Sequence, residues 1–286
     1  MQREGRDYAR EKPVDDRTFE TFRRRYDYDR TPLDAKTEYR DEASEYWRKE
    51  KVSFRAVYGG ERILGYLYLP KNAQPPFQTV IWAPGGYAHF LPSSEAGLKT
   101  EEFSFNYLLQ TGRAIFHPVY KGTYDRRLAA DAGENSRREA QVQYAKDLFQ
   151  SVDYLESRPE IDRKRIGYHG LSSGTWNGIF PLAFETRVRA AVLSGGGLLA
   201  IPLPPEGDAF HYAPRVKMPV LMINGRYDFA YPLNESQKPL FRLLGTPEAD
   251  KRHALFNGGH VVPQQETMRE VLAWFDRYLG PVTLTR

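Results

Sequence analysis

The 286 residues suit one large domain or two small ones, and a hydrophobic share of 41% gives ample material for a core. The net charge is only +4, with Lys and Arg scattered among Asp and Glu, so no basic block of the kind that marks a nucleic-acid binder is present. The absence of Cys removes disulfides, thiolate metal sites and Cys nucleophiles together, and with no membrane-length apolar run and no apolar signal core at the start, a cytoplasmic protein is expected.

Residues 1–50 are rich in charge, Arg and Tyr and only weakly periodic. They read as a partly helical lead-in packed on the surface of a single domain over 51–286, because acids alternate with bases too evenly for a basic binding arm. Residues 52–58 and 62–69 alternate around Gly59-Gly60, which is a hairpin signal. An apolar strand over 78–83 ends at Pro84-Gly85-Gly86-Tyr87; a helix is expected over 100–110 and a strand over 113–120. The longest helix signal runs from 137 to 158, where Val142, Ala145, Leu148, Val152 and Leu155 form an apolar stripe. Further strands are expected at 166–169, 190–193, 219–224 and 254–256, with helices at 236–244 and 266–279. A Pro-rich stretch over 198–214 interrupts the alternation. Strands alternating with helices after an initial hairpin argue for a mostly parallel central sheet with helices on both faces.

The segment from Arg165 to Gly178 contains Gly170-Leu171-Ser172-Ser173-Gly174, a G-x-S-x-G pattern between a strand and a helix. Ser172 then sits at the apex of a sharp turn with its hydroxyl exposed. A serine hydroxyl needs a base to remove its proton, and that base needs an orienting acid. Ligands collect at the carboxyl ends of the strands in a doubly covered parallel sheet, so both partners are sought past later strands. Asp228 follows the strand at 219–224, and His260 follows the strand that ends at Phe256. The chain order Ser172, Asp228, His260 differs from the orders of chymotrypsin and subtilisin. Taken singly, Asp228 could equally cap the next helix, and Asp208 is the next candidate for the acid. Of the remaining histidines, His169 should be buried as packing, His253 stands at the wrong end of its strand, and His89, His117 and His211 carry no such signal.

The backbone N–H of Ser173, which follows the nucleophile, is one candidate oxyanion donor. The loop Pro84-Gly85-Gly86-Tyr87 offers the second, from Tyr87 or from Gly86 beside it. Nineteen Tyr and sixteen Phe make aromatic walls a natural expectation. Phe90, Tyr124, Trp176, Phe229 and Tyr231 all follow strand ends or the elbow and should line the mouth of the site. Phe210 and Tyr212 give the 198–212 stretch an aromatic tip, which either reaches that mouth or belongs to a passive surface loop.

These residues carry a resemblance to the α/β-hydrolase superfamily, in the branch of dienelactone hydrolase-like and acetyl xylan esterase-like enzymes. The run from Asp153 to Asp162 ahead of the elbow is typical of that branch. Residues 119–124, 213–216, 224–229 and 244–247, with Lys251-Arg252-His253, are similar to hydrolase domains appended to bacterial serine/threonine protein kinases. The chain shows no kinase segment. Its oxyanion loop lacks the His-Gly-Gly-Gly form of lipases, and it has no Cys for the nucleophile of dienelactone hydrolases proper. The resemblance implies hydrolysis of a small-molecule carboxylic ester through an acyl-serine, without metal or organic cofactor. The stretch over 198–212 is too short to form a large lid, so a small insertion is expected in its place. Two rivals share the fold: a prolyl-oligopeptidase-type peptidase, which usually adds a propeller or lid, and a non-catalytic ligand-sensing module, which commonly loses a triad member.

Overall fold

The computed structural model describes residues 6–285; residues 1–5 and 286, and with them the beginning of the lead-in and of the stretch read for a signal core, lie outside the described part. Asp15 opens helix α1 (Asp16–Arg23) by accepting the Thr18 N–H at 2.8 Å, a side-chain cap that satisfies one free donor of the first turn. Strand β1 (Lys36–Asp41) pairs antiparallel with β2 (Trp47–Arg55), and β2 forms the expected hairpin with β3 (Arg62–Pro70).

Strands then alternate with helices in chain order: β4 (Phe77–Ala83), α2 (Ser94–Gln110), β5 (Ala114–Pro118), α3 (Glu134–Ser157), β6 (Ile161–Leu171) and α4 (Ser173–Leu182). After them come β7 (Val188–Ser194), α5 (Ala209–Tyr212), β8 (Val220–Gly225), α6 (Lys238–Leu243), β9 (Lys251–Phe256) and α7 (Gln264–Leu279). The nine strands form one sheet in the order β1-β2-β3-β5-β4-β6-β7-β8-β9. Pairing is antiparallel from β1 to β5 and parallel from β5 to β9.

The side-chain period of two divides this sheet into two apolar layers. In β4, Ile81 and Ala83 face one layer while Val80 and Trp82 face the other; in β8, Val220 and Met222 oppose Leu221 and Ile223. α3 and α4 cover the first face through Val142, Leu148, Ile179 and Phe180. α2 and α7 cover the second through Phe105, Leu108, Val271 and Phe275. Helices on both faces drive a central parallel strand to be apolar on both sides, which is why β4 is buried along its whole length.

The lead-in does more than lie on the surface. It supplies β1 to the sheet, β2 runs through residue 50, and Tyr8, Phe19 and Tyr26 are buried in the core. Tyr8 stacks on Phe210, and Phe19 and Tyr26 meet the Tyr212 ring edge-on at 5.2 and 5.9 Å. The connection between β7 and β8, which carries α5, is thus a short insertion clamped by the lead-in. Among the described residues no helix is long and apolar enough to cross a membrane.

Candidate active site

β6 delivers the elbow. Its last residues pair with β4 on one side and β7 on the other, so Ser172 leaves the middle of the sheet at a carboxyl end. Ser172 adopts φ +52°, a left-handed conformation that a non-glycine residue holds only when its surroundings impose it. Its N–H donates to the Ser194 carbonyl at 2.7 Å, tying the turn to the end of β7. The glycines on either side are required by close approach. A Cβ at Gly170 would stand 2.6 Å from the Gly174 carbonyl oxygen, and one at Gly174 would stand 2.3 Å from that of Ala83. Any side chain there would push α4 off the sheet.

β8 and β9 deliver the partners. The Tyr227 N–H donates to the Gly258 carbonyl at 2.9 Å, which brings the loops after these strands together. Ser172 Oγ lies 2.9 Å from His260 Nε2, and His260 Nδ1 lies 2.9 Å from Asp228 Oδ2. The other carboxylate oxygen, Asp228 Oδ1, accepts the N–H groups of Ala230 at 2.8 Å and Tyr231 at 3.0 Å. Asp228 is buried, while His260 keeps a partly open edge. A carboxylate only accepts, so Nδ1 of His260 carries a proton and Nε2 of the neutral ring is free to take one from Ser172. The arrangement can turn a hydroxyl into a nucleophile. Asp208, the alternative acid, pairs with Arg6 at 2.5 Å and caps α5 through the Phe210 N–H.

The loop after β4 turns over the elbow. Gly86 stands close enough that a Cβ there would lie 3.9 Å from Ser173 Cβ. Among the described residues no acceptor takes the N–H of Tyr87 or Ser173. The Tyr87 ring points inward and its hydroxyl is buried, so this residue can offer the site only its backbone. His89, in the same loop, places Nε2 2.8 Å from Ser173 Oγ and Nδ1 2.8 Å from the Gly122 carbonyl oxygen.

The aromatic residues divide. Phe229 and Tyr231 flank His260 with ring centroids 5.9 and 6.0 Å away, the first 84% exposed and the second buried. Phe90, also 84% exposed, follows in the loop after β4, and Trp176 is half-buried in the first turn of α4 against Phe180. Three expectations are corrected. Tyr124 is fully buried: its φ of +46° turns the ring beneath α2, where its hydroxyl donates to Glu101. Phe210 and Tyr212 are fully buried against the lead-in, so the insertion turns its aromatic tip into the core and away from solvent. His169 is buried as expected, donor or acceptor to Ser194 Oγ at 2.9 Å, and burial pushes its pKa down to about 3.

The sheet order, the strained elbow after β6 and the chain order of the three polar groups define the α/β-hydrolase fold. Within it, residues 172–272, from the elbow into the last helix, match the family model described as Serine hydrolase (FSH1). A cold-adapted esterase from an Arctic intertidal metagenomic library is similar in structure, with TM-score 0.68 and 21% identity over 85% of this chain and 99% of that one. Acetyl xylan esterase 1 from Thermoanaerobacterium sp. JW/SL YS485 superposes with TM-score 0.72 at 16% identity, covering 93% of this chain and 95% of that one. The glucuronoyl esterase from Solibacter usitatus gives TM-score 0.62 at 13% identity, with 93% and 95% covered. Curated proteins yield no sequence match.

Proposed function

We propose that the chain is a serine carboxylesterase that hydrolyses short-chain or aryl esters through an acyl-serine. The observation that carries this reading is the unbroken relay Ser172 Oγ, His260 Nε2, His260 Nδ1, Asp228 Oδ2, with both spacings at 2.9 Å. Ser172 Oγ attacks the ester carbonyl carbon while its proton passes to His260 Nε2. The resulting oxyanion accepts from the N–H groups of Ser173 and Tyr87, with Gly86 beside them. Collapse expels the alcohol, which leaves with the proton from His260. Water then attacks the acyl-serine with His260 again as base, and the carboxylic acid departs as Ser172 regains its proton. Asp228 keeps the His260 ring in the required tautomer and stabilises the imidazolium.

The substrate class follows from what borders the relay. Phe229 and Tyr231 present apolar ring surface beside His260, and burying an unpaired charge against such walls is costly. The three structural relatives are themselves esterases by name. Steady-state kcat/KM over a series of p-nitrophenyl esters, with Ser172→Ala as control, tests the reading. The optimum should fall at acetyl to butyryl or at an aryl acyl group. An optimum at a long acyl chain, or a strong preference for a charged acyl group, contradicts it.

A further inference from the structure

His89 sits in a relay whose every atom has one role. The Gly122 carbonyl only accepts, so His89 Nδ1, 2.8 Å away, carries the proton and donates. In the neutral ring Nε2 is then bare, and the Ser173 hydroxyl, 2.8 Å away, donates to it. Ser173 Oγ in turn accepts from Asn177 Nδ2 at 3.1 Å, and the same amide nitrogen donates to the Ser173 carbonyl at 3.0 Å. Gly122 holds φ +87°, the left-handed conformation that suits glycine, in the turn that presents its carbonyl to His89. The relay therefore ties together the first turn of α4, the elbow, the loop after β4 and the loop after β5.

We propose that His89 is a positioning residue for ester hydrolysis at Ser172. The two oxyanion donors come from separate segments, Tyr87 from the loop after β4 and Ser173 from the elbow. Both must converge on one oxygen at about 2.7–3.1 Å to stabilise it. The His89–Ser173 bond fixes one segment to the other two residues beyond the first donor and on the very residue that bears the second. The inference rests on the esterase reading and deepens it.

The test compares His89→Phe, His89→Gln, Ser173→Ala and the double variant His89→Phe/Ser173→Ala on p-nitrophenyl acetate. Each is also assayed with a short alkyl trifluoromethyl ketone, whose hydrate-like adduct needs the oxyanion donors. Ser173→Ala keeps the backbone N–H and loses only the hydroxyl. His89→Phe and Ser173→Ala should each lower kcat by about 10- to 100-fold, the scale of a donor displaced by part of an ångström. KM should stay within about two-fold, and the inhibitor Ki should rise by the same factor as kcat falls. The double variant should lose no more than either single one, because both remove the same bond. His89→Gln, whose Oε1 can accept from Ser173, should recover a large part of the loss. If His89→Phe does not fold, Ser173→Ala against wild type decides by the same three readouts. Undiminished kcat, additive losses in the double variant, or a rise in KM with Ki unmoved overturns the role of His89. Wild-type protein that turns over no ester and shows no Ser172 adduct overturns the esterase reading, and this inference with it.

Discussion

Ser172, Asp228 and His260 follow the ends of β6, β8 and β9; backbone bonds hold Ser172 and Asp228, and Asp228 in turn holds His260, before any substrate arrives. That preorganisation sets the expected cost of losing each. Ser172→Ala or His260→Ala should lower kcat by on the order of 10⁴ or more, because nucleophile and base act as one unit. Asp228→Asn should cost somewhat less, since it preserves shape while offering the wrong partner to Nδ1. Side-by-side steady-state kinetics check this ordering; near-full activity in Asp228→Asn would mean that another group orients the histidine. The pattern of Ser172, Asp228 and His260 was legible in the sequence because strand ends and Gly-rich turns mark it. His89 was not, for a single histidine three residues past a glycine pair has no signature until Ser173 Oγ is seen 2.8 Å away.

At the scale of elements, the apolar strands and the stripe of α3 could be read directly, because a sheet covered on both faces needs nearly continuous hydrophobic runs. β1 escaped because it is an edge strand exposed along most of its length, and its sequence, Lys36-Thr37-Glu38-Tyr39-Arg40-Asp41, has no buried face to reveal a period of two. The sequence puts Tyr124 at the mouth on its position after a strand end, and leaves Phe210 and Tyr212 either at that mouth or in a passive surface loop. Position along the chain does not give side-chain direction, and here a positive φ and the lead-in turn them inward. The packing of lead-in on insertion yields a prediction. Burying large apolar side chains is worth about 1.5–3 kcal/mol each. Deleting residues up to Arg30 removes Tyr8, Phe19 and Tyr26 and uncovers Phe184 and Tyr212. Urea unfolding of the truncated chain should show a clearly lower midpoint, with increased binding of an apolar dye; an unchanged midpoint would make the lead-in a passive cover.

For the whole molecule, stability should depend on pH through buried imidazoles. Burial holds His169 down at about 3 and, with Lys238 and Arg226 adding to it, His253 at about 4. Unfolded histidines titrate near about 6.5, so between roughly pH 6.5 and 4 the unfolded chain binds protons that the folded chain does not. Stability is therefore full above pH ~6.5 and falls as pH drops, by about 1.4 kcal/mol per pH unit for a fully buried imidazole such as His169. Carboxylates such as Glu160, held low first by its bond to Arg158, act in the same direction only below their own unfolded range near about 4.3. Urea unfolding at pH 7, 6, 5 and 4.5 should show the decline beginning near pH 6. A free energy flat down to pH 4.5 would contradict neutral burial of these rings.

The central claim is that Ser172 is a nucleophile activated by His260, and covalent labelling tests it most directly. Reaction with a fluorophosphonate followed by peptide mapping should give a single adduct on Ser172 in the wild type. None should form in Ser172→Ala, and in His260→Ala the rate of labelling should be greatly reduced. No adduct in the wild type, or an adduct on Ser173 or another serine, would contradict the account.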